Sequence, residues 1–297
     1  MPELADLFPG FESHWIGTET GKVFVRAGGQ GEPVILLHGF PQTLVQWHRI
    51  APELARTHRI VMMDLRGYGW STAPRSEGNE TYSKRAMGRD VVRVMEALGY
   101  AQFAVIGHDR GARVAYRLAL DHPGRISKLA LLDILPTVAM WELIRQKVTP
   151  GNEHWLWLSR PSPEPENDLL KDPIGWQNGK LAGWTKGKDL SAFDGRALAH
   201  YHAFFNDPGR IHAVCEDYRA GATEDLTADE ADRTAGRKIQ CPTLLLWGDA
   251  GIPASGTDPM RAWQGFAPQA TGHSIDGGHF LGEENPVAVL AALKGWL

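Results

Sequence analysis

Five short runs of apolar or nearly apolar residues mark the chain: Val34–Leu37, Ile60–Met63, Phe103–Ile106, Leu129–Leu132 and Thr243–Leu246. Each ends in polar or chain-reversing residues, running respectively into HGFPQ, DLRGYG, GHDRG, DILP and WGDAG. An unbroken apolar run, rather than an alternating one, is what a strand needs when both of its faces are covered, as in a parallel sheet. Between the runs, Tyr82–Leu98 and Arg110–Leu120 place apolar residues at helical spacing. The alternation predicts an α/β fold: a mostly parallel, doubly wound sheet with functional groups at the carboxyl ends of its strands.

The rhythm breaks at residue 139 and does not return until residue 233. This stretch holds five of the eleven tryptophans, the proline-rich segment RPSPEPENDLLKDPIG and helix-like segments such as LSAFDGRALAHYHAFF. A structureless loop of that length is rare in a compact domain. The pattern predicts a helical cap (lid) at 139–232 inserted into a core domain built from 1–138 and 233–297.

Composition narrows the function. With 297 residues, 43% of them hydrophobic, the chain can bury a sizeable core; a net charge of −4 without a basic block argues against nucleic acid or an anionic membrane as partner. The segment MPELADLFPGFESHW lacks the basic start and apolar run of a signal peptide, and no apolar stretch reaches membrane-spanning length. Cys215 and Cys241 stand in no metal-like spacing, which suits a reducing cytoplasm. No HExxH, CxxC, GxGxxG or GxxxxGK[ST] motif provides for a metal or a nucleotide cofactor, and none is expected.

The chemistry concentrates at Gly107-His108-Asp109-Arg110-Gly111, which follows the third apolar run and opens a helical segment. This is the Gly-x-Ser-x-Gly nucleophile elbow with aspartate in place of serine. A carboxylate attacks saturated carbon bearing a leaving group and yields an alkyl ester. Attack on an acyl group would give an anhydride instead, so Asp109 indicates displacement at sp³ carbon: halide loss or epoxide opening. Arg110 and Arg113, three residues apart, can share one helix face. Two guanidinium groups beside a nucleophilic aspartate suit a substrate that carries its own carboxylate, held by charge-assisted bonds worth about 1.5–3 kcal/mol each.

HGFPQ at 38–42, DLRGYGWS at 64–71, GHDRGAR at 107–113 and GGHF at 277–280, in that order, resemble the α/β-hydrolases with an aspartate nucleophile. That branch comprises haloalkane dehalogenases, epoxide hydrolases and haloacetate dehalogenases. The match spans the chain, and DRGAR, the EHW of 153–155 and the late GHF are most similar to the fluoroacetate dehalogenases. The resemblance implies the α/β-hydrolase fold, His279 as the base that activates water against the ester, and backbone N–H groups of Phe40 and Arg110 as the oxyanion hole. It implies His154, Trp155 and Tyr218 as halide donors, with Trp184 and Phe40 as pocket walls, and a homodimer. The acid orienting His279 is expected at Asp133, with Asp249 as alternative. In many relatives it stands three residues after the glycine of WG, but here that position is Gly251. The expected activity is hydrolytic dehalogenation of a small haloacid, fluoroacetate to glycolate and fluoride. Two other readings stay open: an epoxide hydrolase, for which Tyr201 and Tyr218 would activate the ring oxygen, and a non-catalytic receptor on the same fold.

Overall fold

The computed structural model describes residues 4–76, 78–146, 153–251 and 257–297. Eight strands form one sheet: β1 (Glu12–Thr18), β2 (Gly21–Gly28), β3 (Pro33–Leu37), β4 (Arg59–Met63), β5 (Phe103–His108), β6 (Ile126–Leu132), β7 (Thr243–Gly248) and β8 (Thr271–Ile275). Their spatial order is β1-β2-β4-β3-β5-β6-β7-β8. β2 pairs antiparallel with β1 and β4, and every other pairing is parallel. The five apolar runs lie within β3 to β7, apart from the antiparallel hairpin.

Why these runs are unbroken is visible in where alternate residues go. Ile35, Leu37, Val61, Met63, Val105 and Leu131 join the core on one face of the sheet. Val34, Leu36, Ile60, Met62, Ile106 and Leu132 join a second core on the other. Side chains alternate across a strand, so two apolar cores demand apolar residues at every position. The edges obey a different rule. β1 is largely exposed, β2 alternates buried and half-buried positions, and β8 reads TGHSI with only Ile275 buried. The strand before His279 is therefore a polar edge strand, because one side of it has no neighbour to cover it.

Thirteen helices accompany the sheet among the described residues. The core helices are α1 (Ala51–Leu54), α2 (Lys84–Ala97) and α3 (Asp109–Asp121). Between β6 and β7 run α4 (Thr137–Arg145), α5 (Glu153–Leu158), α6 (Glu164–Leu169), α7 (Pro173–Trp184), α8 (Gly195–Phe205), α9 (Pro208–Ala222) and α10 (Glu224–Thr234). The chain then adds α11 (Pro259–Trp263), α12 (Leu281–Glu284) and α13 (Pro286–Trp296). Caps start several of these helices: Asp172, Asp194 and Asp207 each accept a backbone N–H of the first turn. No helix of the described residues is long and apolar enough to cross a membrane.

Candidate active site

Asp109 sits where β5 turns into α3, with φ at +45°, a conformation that non-glycine residues adopt only when the surroundings impose it. The two flanking glycines make room for it here. A Cβ on Gly107 would lie 2.6 Å from Ala112 Cα, and one on Gly111 would lie 2.4 Å from the carbonyl oxygens of Leu37 and His38. The chain can therefore reverse tightly enough to set Asp109 at the start of a 13-residue helix, where the helix dipole favours a carboxylate. Its Oδ1 accepts the Phe40 N–H at 2.8 Å. Burial disfavours the charge, but His279, His108, Arg110 and the Phe40 N–H together hold the carboxyl below its usual range. Asp109 is thus anionic at neutral pH.

His279 is fully buried and points both ways. Its Nδ1 lies 2.6 Å from Asp133 Oδ2, and its Nε2 lies 3.8 Å from Asp109 Oδ2 with no hydrogen-bond partner. A carboxylate on Nδ1 fixes the proton there in the neutral ring, so Nε2 is the free base facing Asp109. Burial opposes the ring's charge, yet Asp133 and Asp109 outweigh it and raise the imidazole above its ordinary value. Asp133, at φ +54° past the end of β6, also accepts the Gly248 N–H on Oδ1 at 2.9 Å. The alternative acid, Asp249, lies at the surface and pairs with Lys186 at 2.8 Å. A Cβ at Gly251 would fall 2.2 Å from Asp133 Oδ1. The space a carboxylate at 251 would enter is thus already held by Asp133.

Both arginines are buried, but they are not equivalent. Arg113 donates from Nη1 to Leu135 O at 3.2 Å and Thr137 Oγ1 at 3.0 Å, leaves Nε without a partner, and stacks on Trp155 at 4.5 Å. It forms no ion pair with a carboxylate among the described residues, and burial pulls its guanidinium below the ordinary arginine value. Arg110 is engaged instead: Nε donates to Asp217 Oδ2 at 3.0 Å, and Nη2 donates to Asp217 Oδ1 at 2.6 Å and Asp217 O at 2.7 Å. Only Nη1 has no partner. Burial opposes the Arg110 charge, but Asp217 overcomes that and stabilises it.

Aromatic side chains from the helices between β6 and β7 close over these groups. Phe40 meets Tyr218 at 5.5 Å, Trp184 at 6.2 Å and Phe205 at 6.0 Å between ring centroids. His154 lies 4.7 Å from Trp184 and 5.6 Å from Tyr218, and Trp155 lies 5.8 Å from Tyr218. Burial and the nearby Asp109 charge push the Tyr218 phenol well above its ordinary value, so it remains an O–H donor. Asp109, His279, Asp133, Arg110, Arg113, Phe40, His154, Trp155 and Tyr218 are therefore brought into one buried neighbourhood, with Trp184 half-buried at its edge. Tyr201 is not: its O–H donates to Glu283 Oε1 at 2.6 Å, and its ring belongs to the core on the opposite face from Tyr218.

Residues 32–286 match the family model for the alpha/beta hydrolase fold. The chain belongs to that family. Among its relatives, a Burkholderia sp fluoroacetate dehalogenase is 39% identical over 98% of this chain and 95% of its own. A soluble epoxide hydrolase of Corynebacterium sp. (strain C12) is 31% identical over 90% of each. Among solved structures, a candidate alpha/beta hydrolase from Nostoc sp PCC 7120 has a TM-score of 0.92 at 46% identity, covering 96% of this chain and 97% of that one. A candidate epoxide hydrolase from Pseudomonas aeruginosa, a mutant with MFA bound, has a TM-score of 0.91 at 42% identity, covering 99% and 97%.

In this α/β hydrolase, several groups at the site escape a motif reading. Asp217 is fully buried and, besides Arg110, holds the Lys84 ammonium and accepts the Tyr68 O–H at 2.8 Å. Its signal in the sequence is faint: a carboxylate on the same face of α9 as Val214, Tyr218 and Gly221, where a charge is out of place unless paired. His108 supports the base from below. Its Nε2–H donates to His279 O at 2.8 Å, its ring lies 4.6 Å from that of His279, and burial pushes it down to about 3, so it stays neutral.

Proposed function

We propose that this α/β hydrolase converts haloacetates, fluoroacetate among them, to glycolate and halide through an ester on Asp109. Asp109 Oδ2 attacks the halogen-bearing carbon from the side opposite the leaving group; the C–O bond forms as the carbon–halogen bond breaks, and the halide departs with the electron pair. His279 Nε2 then takes a proton from water, whose oxygen adds to Asp109 Cγ. The oxyanion so formed is held by the N–H groups of Phe40 and Arg110, donors placed where charge develops. Collapse breaks the bond between Asp109 Cγ and the ester oxygen, the imidazolium gives its proton to the departing glycolate oxygen, and Asp109, now carrying an oxygen from water, releases the second water proton to solvent and is anionic again. Asp133 keeps the imidazole in the useful tautomer and stabilises its protonated form. Arg110 and Arg113 take the substrate carboxylate, and His154, Trp155 and Tyr218 receive the halide.

The observation that carries this reading is Arg113: a guanidinium buried beside the Asp109 elbow without a carboxylate partner among the described residues. A buried charge that the protein leaves unpaired needs a counter-ion, and a haloacetate brings one to the nucleophile. Epoxide opening has support in the epoxide hydrolase relatives, but an uncharged epoxide offers Arg113 nothing, and Tyr201 is occupied by Glu283. The fold divides in this reading into a core of 1–138 and 233–297 and a cap of 139–232, in a cytoplasmic homodimer.

The test is fluoride release from fluoroacetate, run beside diol formation from styrene oxide. A single turnover in ¹⁸O water should leave label in Asp109 and none in the first glycolate. Label in that glycolate, or diol formation outpacing halide release, overturns the proposal.

A further inference from the structure

The clamp around Arg110 is more elaborate than carboxylate capture requires. Asp217 reaches from α9, between β6 and β7, into the core and engages Lys84 at the start of α2, Tyr68 and Arg110 at once. Lys84 has a second carboxylate, Asp225, whose Oδ2 is 3.4 Å from its Nζ and whose Oδ1 accepts its backbone N–H at 2.7 Å. Two cations and two carboxylates therefore balance within this buried cluster. Arg110 brings no surplus charge to the site, and of its three nitrogens two are fixed on Asp217. Arg113, three residues further along α3, has the reverse endowment: a whole charge without a carboxylate partner among the described residues, and only neutral acceptors on Nη1.

We propose that Asp217 is a positioning residue that divides the labour of the two arginines: it holds Arg110 so that only its Nη1 amino group is left to donate, and leaves to Arg113 the neutralisation of the substrate carboxylate. The proposal rests on the haloacetate reading for the substrate, and it makes the clamp asymmetric. A guanidinium gripped on its Nε edge cannot swing to offer that edge to the ligand, so the carboxylate is received in one orientation. That orientation sets the line from Asp109 Oδ2 to the halogen-bearing carbon, where small displacements cost large factors in rate. Tyr68 acts in the same way at one remove, since its O–H is on the Oδ2 that receives Arg110 Nε.

The purified enzyme and its Asp217→Asn, Tyr68→Phe and Arg113→Gln variants would be assayed for halide release from fluoroacetate and titrated calorimetrically with acetate, which has the carboxylate and no leaving group. Asp217→Asn should lower kcat by about 10²-fold while KM and the acetate Kd stay within about threefold of wild type, because the net positive charge is undiminished and only aim is lost. Arg113→Gln should weaken acetate binding by at least about tenfold, the loss of one charge-assisted bond. Loss of acetate affinity in Asp217→Asn as large as in Arg113→Gln would overturn the division of labour, and so would an unchanged kcat. Should Asp217→Asn fail to fold, Tyr68→Phe decides: a severalfold drop in kcat at constant KM supports the proposal, and wild-type kinetics overturn it. A wild type that releases no halide refutes the dehalogenase reading instead. The acetate titrations then still rule on Asp217, which stands if Asp217→Asn holds acetate as wild type does and Arg113→Gln does not, and falls on any other pattern.

Discussion

Asp109, His279 and Asp133 form a chain of charge in which each member sets the next, and the order of their effects is testable by pH. The ring of His279 is raised above 6.5 because the attractions of Asp133 and Asp109 exceed the burial penalty. Ester hydrolysis needs Nε2 unprotonated, so its rate should climb with pH and level off once the ring is neutral; because esterification removes the Asp109 charge, the midpoint should lie below that of His279 in the free enzyme. Asp133→Asn removes the larger attraction and frees the wrong tautomer: pre-steady-state measurements should show the midpoint moved to lower pH and the plateau reduced by about 10⁴-fold. A second consequence concerns the leaving group. Fluoride is held in a strong bond yet accepts hydrogen bonds best among the halides, so donors aimed at it act mainly in the transition state. Trp155→Phe and Tyr218→Phe should each slow fluoroacetate turnover by about 10²–10³-fold and bromoacetate turnover far less; equal losses would make these residues pocket walls only. The residues in this chain were legible because motifs carry them: an elbow with its two glycines, and a histidine after a late Gly-Gly. Asp133 was harder to read, since what selects it over Asp249 is Gly251, whose missing side chain leaves room for Asp133 Oδ1. Asp217 stayed hidden because its partners, Lys84, Tyr68 and Arg110, stand far away in sequence, and no local pattern records a pairing across more than 100 residues.

At the scale of elements, two helices between β6 and β7 are fastened to the core by different chemistry. α9 is fastened by ions, through Asp217. α8 is fastened by Tyr201, whose O–H meets Glu283 at 2.6 Å at the end of α12, with Gln42 Nε2 3.2 Å from the phenol oxygen. Burial raises Glu283 to about 8, against which the Tyr201 hydrogen bond and Arg49 pull only partly. A carboxyl whose ordinary value is 4.5 but whose folded value is about 8 binds its proton more tightly folded than unfolded. Its contribution to stability is therefore greatest below pH 4.5 and declines as the pH rises towards 8. Glu283→Gln imitates the protonated form, so denaturant unfolding should find it close to wild type at pH 5 and more stable than wild type at pH 8.5. A variant weakened equally at both values would show that the ionised carboxylate is the form the fold prefers. None of this tie was written in the sequence: Gln42, Tyr201 and Glu283 belong to segments that look like ordinary helix and loop.

For the molecule as a whole, periodicity was a faithful guide wherever a strand has two covered faces. β3 to β7 announce themselves by unbroken apolar runs, and alternate residues feed two separate cores. It failed at the rim, where β1, β2 and β8 keep polar residues because water covers one side or one edge. The interruption of the rhythm between β6 and β7 was equally legible, and seven helices of the described residues fill it, yet which of their faces meet the core could not be read from spacing alone. One contact among them has a wider consequence. The His279 N–H donates to the Trp184 carbonyl at the end of α7 at 2.9 Å, and Gly278 is so tightly seated there that a Cβ would lie 2.5 Å from Trp184 O and Lys186 N. The base is thereby interlocked with its roof: parting the two would unseat the imidazole while leaving the nucleophile intact on α3. Gly278→Ala forces that separation, and it should turn a continuous reaction into a burst, one equivalent of halide released at near-normal speed followed by slow discharge of the alkylated enzyme.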